Sequence, residues 1–260
     1  MTLDLKHIHS QLQQIEQEEG VRILYACESG SRAWGFPSKD SDYDVRFIYV
    51  RPVDWYLSIF EKRDVIERPI SDLLDINGWD LKKALNLFRK SNPPLLEWLQ
   101  SPIPYMERYS VTEKIRQLSP FTFSPRSSMY HYLHMAKGNF REYLQGDVVK
   151  IKKYFYVLRP ILACEWIERH GSMPPMEFEK LVEQVLPNSK LKQEIDTLLT
   201  RKKAGVEFHL EPKITVINDY LERQIAYFEE TAKQIAAYGE QQDQVLDALF
   251  REALKEVWGS

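Results

Sequence analysis

The feature that most restricts how this chain can fold is Gly30-Ser31-Arg32 followed closely by Asp42-Tyr43-Asp44, with a strand pattern on either side. The run Val21-Arg22-Ile23-Leu24-Tyr25-Ala26-Cys27 before it and the run Val45-Arg46-Phe47-Ile48-Tyr49-Val50 after it are rich in β-branched and aromatic residues, as strands are. Residues two apart on a strand share a face, so Asp42 and Asp44 are expected to project together. Two carboxylates held that close repel each other unless a cation lies between them, and oxygen ligands suit a hard divalent metal. Glu28-Ser29-Gly30-Ser31 reads as a small-residue turn after the first strand. Glycine lets the backbone approach a ligand closely, and free N–H groups at a helix start attract phosphate. Ser31 adds a hydroxyl and Arg32 a permanent positive charge. Pro37-Ser38-Lys39-Asp40-Ser41 is then a polar turn that returns the chain to the second strand.

Taken singly, a Gly-Ser turn or a Ser/Asp-rich loop is ordinary connecting structure. Both together at this spacing, between two strands, describe an active-site scaffold. Arg46 falls on the same strand parity as the aspartates, and substrate contact and a structural ion pair remain equally open for it.

Gly-Ser, a short helix and then Asp-x-Asp on a strand resembles the signature of the DNA polymerase β-like nucleotidyltransferase superfamily. The longer string from Glu28 to Tyr49 resembles one branch of it, the RlaP-like nucleotidyltransferases associated with RNA repair pathways. Trp79-Asp80-Leu81-Lys82-Lys83, Asn92-Pro93-Pro94-Leu95-Leu96-Glu97, Lys153-Tyr154-Phe155-Tyr156-Val157-Leu158-Arg159-Pro160 and Pro174-Pro175 extend the likeness, which covers residues 20–180 or so. The resemblance implies transfer of a nucleoside monophosphate from an NTP to an acceptor hydroxyl, with release of pyrophosphate. It also implies a third carboxylate on a neighbouring strand. Asp75 fits, within an apolar alternation just before Gly78; Asp72 is the alternative, at the start of that run. Asp80 precedes a helical run and reads instead as its N-cap.

On this reading Asp42, Asp44 and Asp75 are the catalytic residues and the ligands of two Mg²⁺ ions (or Mn²⁺) roughly 3.5–4 Å apart. Gly30, Ser31 and Arg32 hold the β- and γ-phosphates. Members of the superfamily commonly use a helical domain as the second wall of the cleft, which makes Lys152, Lys153 and Tyr156 further nucleotide-binding candidates, expected to face the aspartates. RNA is the foremost acceptor; a protein side chain or a small molecule is the alternative. A nucleotide sensor that binds without transferring is the non-enzymatic reading, and intact Asp42, Asp44 and Ser31 argue against it.

A net charge of −3 excludes a broadly basic nucleic-acid surface but leaves room for a local patch. Arg126, Lys137, Arg141, Lys150, Lys152, Lys153 and Arg159, interleaved with Tyr130, Tyr132, Tyr143, Tyr154 and Tyr156, form such a basic aromatic stretch. Cys27 and Cys164 are the only cysteines, so a disulfide framework or cysteine zinc site is not expected, and both read as buried thiols. The chain shows neither a bilayer-crossing apolar run nor a signal-peptide pattern at Met1 to His7. A cytoplasmic protein without a membrane partner is expected, its oligomeric state open.

The rest of the chain divides by pattern. Leu5, Ile8, Leu12 and Ile15 at helical spacing predict a helix over 5–19, and strands follow to about Ile76. A helix is predicted over 81–90, and Asn92-Pro93-Pro94 ends it and starts the next. Ser101-Pro102-Ile103-Pro104 reads as a junction. Helices are then predicted over 127–144, 148–170, 176–185, 191–199, 214–238 and 245–257, with Pro160 kinking the second or ending it near Leu158. The expected fold is α+β: a small nucleotidyltransferase-type mixed sheet with helices over residues 1–104, followed by an all-α helical bundle over 105–260 that binds substrate.

Overall fold

The computed structural model describes residues 5–39, 41–70, 73–205, 210–235 and 242–259. In chain order the elements are α1 (Leu5–Glu19), β1 (Arg22–Glu28), β2 (Tyr43–Val50), α2 (Val53–Tyr56), β3 (Val65–Glu67), β4 (Leu74–Asp80), α3 (Leu81–Arg89), α4 (Pro93–Leu99), β5 (Pro104–Glu107) and α5 (Val111–Thr122). There follow α6 (Pro125–Tyr143), β6 (Val148–Lys150), α7 (Ile151–His170), α8 (Phe178–Val185), α9 (Lys190–Lys203), β7 (Leu210–Pro212), α10 (Thr215–Gln234) and α11 (Asp243–Trp258). The α+β class is as expected.

The chain forms two compact units. The first comprises Met1–Ala33, Ser41–Thr122 and Gly239–Ser260; the second comprises Trp34–Asp40 and Phe123–Tyr238. The sequence pattern placed the division at residue 104, but the compact units do not divide there. Ser101–Pro104 leads into β5 instead, which pairs antiparallel with β1 and keeps α5 with the sheet, and α11 returns to the same unit. A proline at the first position of an edge strand removes no ladder hydrogen bond that the sheet needs, which is why Pro104 can open β5.

In the first unit the sheet order is β3-β4-β2-β1-β5. β2 runs antiparallel to β1 and parallel to β4, and β3 is antiparallel to β4. Ile8, Leu12 and Ile15 of α1 pack against Tyr43, Val45, Phe47 and Tyr49 of β2 and Leu74 and Ile76 of β4 in one buried cluster. Leu5, the first residue of the predicted apolar face, is exposed. Asp80 caps α3, its carboxylate accepting from the Lys82 N–H at 2.8 Å, and Asn92 caps α4 ahead of Pro93. α11 is tied to this unit by paired Arg89–Asp243 contacts and by Ser110, which donates to Glu256.

The second unit is mainly helical, with α6 and α7 as its central pair. Two departures from the sequence reading occur here. Val148–Lys150, predicted to begin a helix, instead pairs with Leu210–Pro212 in a short two-stranded ladder. Pro160 neither ends α7 nor marks its boundary: the helix continues to His170. The carbonyl that Pro160 cannot bond, that of Tyr156, accepts instead from Asn139 Nδ2 at 3.4 Å, and most of α7 is buried around it. Cys27 and Cys164 are both buried free thiols, and burial pushes the Cys27 thiol up to about 12. No described helix is long and apolar enough to cross a membrane.

Candidate active site

The parallel pairing of β2 with β4 sets Asp44 directly opposite Asp75. Arg46, two residues along the strand and on the same face, reaches both. Its Nη2 donates to Asp75 Oδ2 at 2.8 Å and to Asp44 Oδ1 at 3.3 Å, and Nη1 donates to the Asp75 carbonyl at 3.0 Å. Arg46 therefore makes an ion pair with each carboxylate. All three side chains are less than a third exposed, so these contacts form in a partly dry environment where charge is felt strongly. Burial pushes the Asp44 carboxyl up to about 6; Arg46 opposes the shift, while the charges of Glu28, Asp75 and Asp42 add to it.

Glu28, the last residue of β1, was read from sequence only as the start of a turn. Its carboxylate is completely buried. One oxygen accepts from the Asp44 N–H at 2.9 Å and, more distantly, from the Gly30 N–H at 3.5 Å. The other accepts from the Tyr105 hydroxyl at 2.5 Å. A single buried acid thus ties together the end of β1, the glycine turn, the start of β2 and β5. The signal in the sequence was an acid closing an apolar strand immediately before a Ser-Gly turn.

Gly30 has a specific steric reason to be glycine. A Cβ there would collide with the Asp44 carboxylate, so the turn and the acid occupy adjoining space. The Ser29 N–H donates to the Asp44 carbonyl at 2.9 Å, which locks the turn to β2. The short helix implied after Gly30 is absent: residues 31–35 form successive turns. Any phosphate grip by Ser31 would therefore rest on turn amides and its hydroxyl, not on a helix end. Arg32 donates to the carbonyls of Ser41 (2.9 Å) and Asp42 (3.3 Å), with its guanidinium 3.6 Å above the Tyr43 ring. It pins the segment that carries Asp42.

Asp42 precedes β2 and is exposed. Among the described residues, no group of three or more carboxylate, imidazole or thiol side chains is gathered closely enough to hold a metal ion. Asp44 and Asp75 are brought together; Asp42, ahead of the strand, adds its charge to the surroundings of Asp44; Asp72 lies outside the described residues. Even so, the donors present are carboxylate oxygens with excess negative charge around Asp44, and that chemistry fits a hard divalent cation.

Lys152, Lys153 and Tyr156 lie in the first two turns of α7, in the second unit. The Lys153 ammonium sits 3.5 Å above the Tyr143 ring and 4.9 Å from the centre of the Tyr156 ring. Burial and the neighbouring Lys152 charge lower its pKa.

A family model described as "RNA repair pathway DNA polymerase beta family" matches residues 5–252. The chain is 54% identical over 253 residues to an uncharacterized protein of Bacillus subtilis (strain 168), YcgL, covering 97% of each. A solved nucleotidyltransferase-like protein from Exiguobacterium sibiricum 255-15 aligns over 97% of this chain and 89% of its own, at 11% identity and a TM-score of 0.31. That structural likeness is too slight to argue from.

Proposed function

The chain belongs to the RNA repair pathway DNA polymerase beta family, and on that premise we propose that it moves a nucleoside monophosphate from an NTP to a hydroxyl on RNA. The observation that carries the reading is the register of β2 against β4, which sets Asp44 beside Asp75 with the Gly30 turn packed on the Asp44 carboxylate. Asp44 and Asp75, with Asp42 just ahead of the strand, are the residues that would hold Mg²⁺ or Mn²⁺. Bound there, the metal would supply a Lewis acid for the triphosphate and the acceptor oxygen.

The chain's own residues account for the remaining requirements. Glu28 takes the Asp44 N–H and so fixes the backbone from which that carboxylate projects. Arg46 orients Asp44 and Asp75 toward one another and offsets part of their repulsion. Ser31 and the turn amides near Gly30 receive the β- and γ-phosphates, while Arg32 holds the segment bearing Asp42 and lends it positive charge. Asp75 takes the proton of the acceptor hydroxyl. Lys152, Lys153 and Tyr156 bind nucleotide through phosphate contact and stacking. Membership of an RNA repair pathway family supports RNA as the acceptor.

The test is incubation with α-labelled NTPs and RNA, with and without Mg²⁺. The expected outcome is metal-dependent label on RNA with pyrophosphate released. Label appearing on a protein instead would replace the acceptor, and no transfer to any acceptor would overturn the reading.

A further inference from the structure

At the far end of the same two strands lies a second polar cleft, of about 620 Å³, between the α2–β3 segment and α3. Tyr49 and Asp80 mark that end, five positions along from Asp44 and Asp75, or about 17 Å at the usual strand rise. The cleft is therefore separate from the carboxylate pair.

Two of the three acids that line it, Glu61 being the third, have partners. Asp80 accepts from the Tyr56 hydroxyl at 2.7 Å and from the Lys82 N–H at 2.8 Å, and Asp64 pairs with Lys83 at 2.9 Å. Lysines lie on both sides of the cleft. Lys82, Asn86 and Lys90 recur four residues apart along the exposed side of α3, all lining the cleft. Eight residues of helix span about 12 Å, longer than a single phosphate group. Across the cleft, the Lys62 ammonium lies 5.1 Å from the centre of the Trp55 ring. Leu57, Ile59 and Phe60 follow on the α2–β3 segment at 74%, 91% and 75% exposure, an unusual concentration of bare apolar surface.

We propose that this cleft is a binding groove for single-stranded RNA. Lys82 and Lys90 contact separate phosphates of one strand's backbone, and Phe60 offers a ring on which an unpaired base stacks. Lysines facing exposed aromatic and aliphatic side chains are the combination that grips single strands without reading their sequence. Duplex RNA would present phosphates without free base faces and leave Phe60 and Ile59 unused. The proposal rests on the RNA-acceptor reading and gives it a place to hold the acceptor strand away from the reacting end.

The experiment measures fluorescence anisotropy of a labelled, unstructured oligouridylate in Mg²⁺-free buffer, where binding is scored without any transfer. Lys82→Glu with Lys90→Glu should weaken binding by about tenfold or more and lower the slope of log affinity against log salt by about one to two. Phe60→Ala should weaken binding by about tenfold with little change in that slope. Lys82→Arg with Lys90→Arg should retain affinity, which separates charge from fold, and melting curves confirm each variant is folded. Unchanged affinity in the Glu double variant would overturn the groove. So would complete displacement of the oligomer by equimolar ATP, which would make the ligand a mononucleotide, or variants that affect only binding of a protein partner. Groove-dependent binding without nucleotidyl transfer would leave this site standing and remove the transferase reading; transfer to RNA with groove variants unaffected would do the reverse.

Discussion

Asp44 and Asp80 invite comparison, because burial pushes both carboxyls up to about 6 and their environments are otherwise opposite. Asp80 is nearly inaccessible, takes hydrogen bonds from Tyr56 and the Lys82 N–H, and starts a helix. Asp44 has Arg46 on one side and the charges of Glu28, Asp75 and Asp42 crowding it on the other. The same perturbed acidity thus marks a satisfied structural acid in one place and an electrostatically unbalanced one in the other. Perturbation alone does not identify a site; the sign and number of neighbouring charges do.

The largest contrast should appear in activity. Asp44→Asn keeps shape and removes charge, and should lower metal-dependent transfer on the order of 10³-fold. Asp80→Asn should leave transfer near wild type, because asparagine also caps helices. Single-turnover assays with labelled NTP measure both, and an equally inactive Asp80→Asn would break the comparison.

Glu28→Gln comes next. It removes the charged acceptor of the Asp44 N–H and the Tyr105 hydroxyl, and should cost about 1–3 kcal/mol in urea unfolding. Turnover should fall further than Tyr105→Phe lowers it, since Glu28, unlike Tyr105, contacts the Asp44 backbone. Equal losses in the two variants would assign Glu28 a packing role.

A smaller effect concerns stability against pH. A carboxyl raised to about 6 binds its proton more tightly folded than unfolded, so this contribution is favourable at low pH and lost as pH rises from about 4 to about 6. Asp44→Asn should flatten that decline and be more stable than wild type at pH 7 without metal, by on the order of 1 kcal/mol. Added Mg²⁺ should raise the melting temperature of wild type and not of the variant. Asp80→Ala should instead lose about 1 kcal/mol at pH 7 through the missing cap. An Asp44→Asn variant whose stability changes between pH 4 and 6 just as wild type's does would contradict the crowding at Asp44.

The smallest expected change is in salt dependence. Lys152→Gln with Lys153→Gln should modestly weaken RNA binding and reduce its salt slope, as measured by anisotropy titrations, with the Asp44 site unaltered.

Local chemistry made much of this molecule legible beforehand. The spacing of Ile8, Leu12 and Ile15 described a helix that buries those residues, and Asp80 and Asn92 announced their caps. Apolar alternation singled out Asp75, which lies opposite Asp44. What was illegible depends on distant partners. β5 is a short edge strand that exists because β1 offers it a ladder, and its prolines read as a break. Pro160 looked like a stop because nothing in its own segment shows Asn139 taking over the orphaned carbonyl. Glu28 looked like a turn residue because its burial depends on Tyr105, far along the chain.

The chain order of the two units carries a consequence for synthesis. Residues 123–238 are spelled out before α11, which belongs with the sheet, and residues 34–40 belong with helices made much later. Neither unit can be completed from a contiguous stretch of nascent chain, and α11 joins the sheet's unit only after residues 123–238 have been made. Contacts that separate along the sequence slow folding, and a release of the chain before residue 243 would leave Tyr56 without the Phe250 ring stacked edge-on at 5.0 Å. Dissecting the protein into two expressible halves by a single cut would sever both at once.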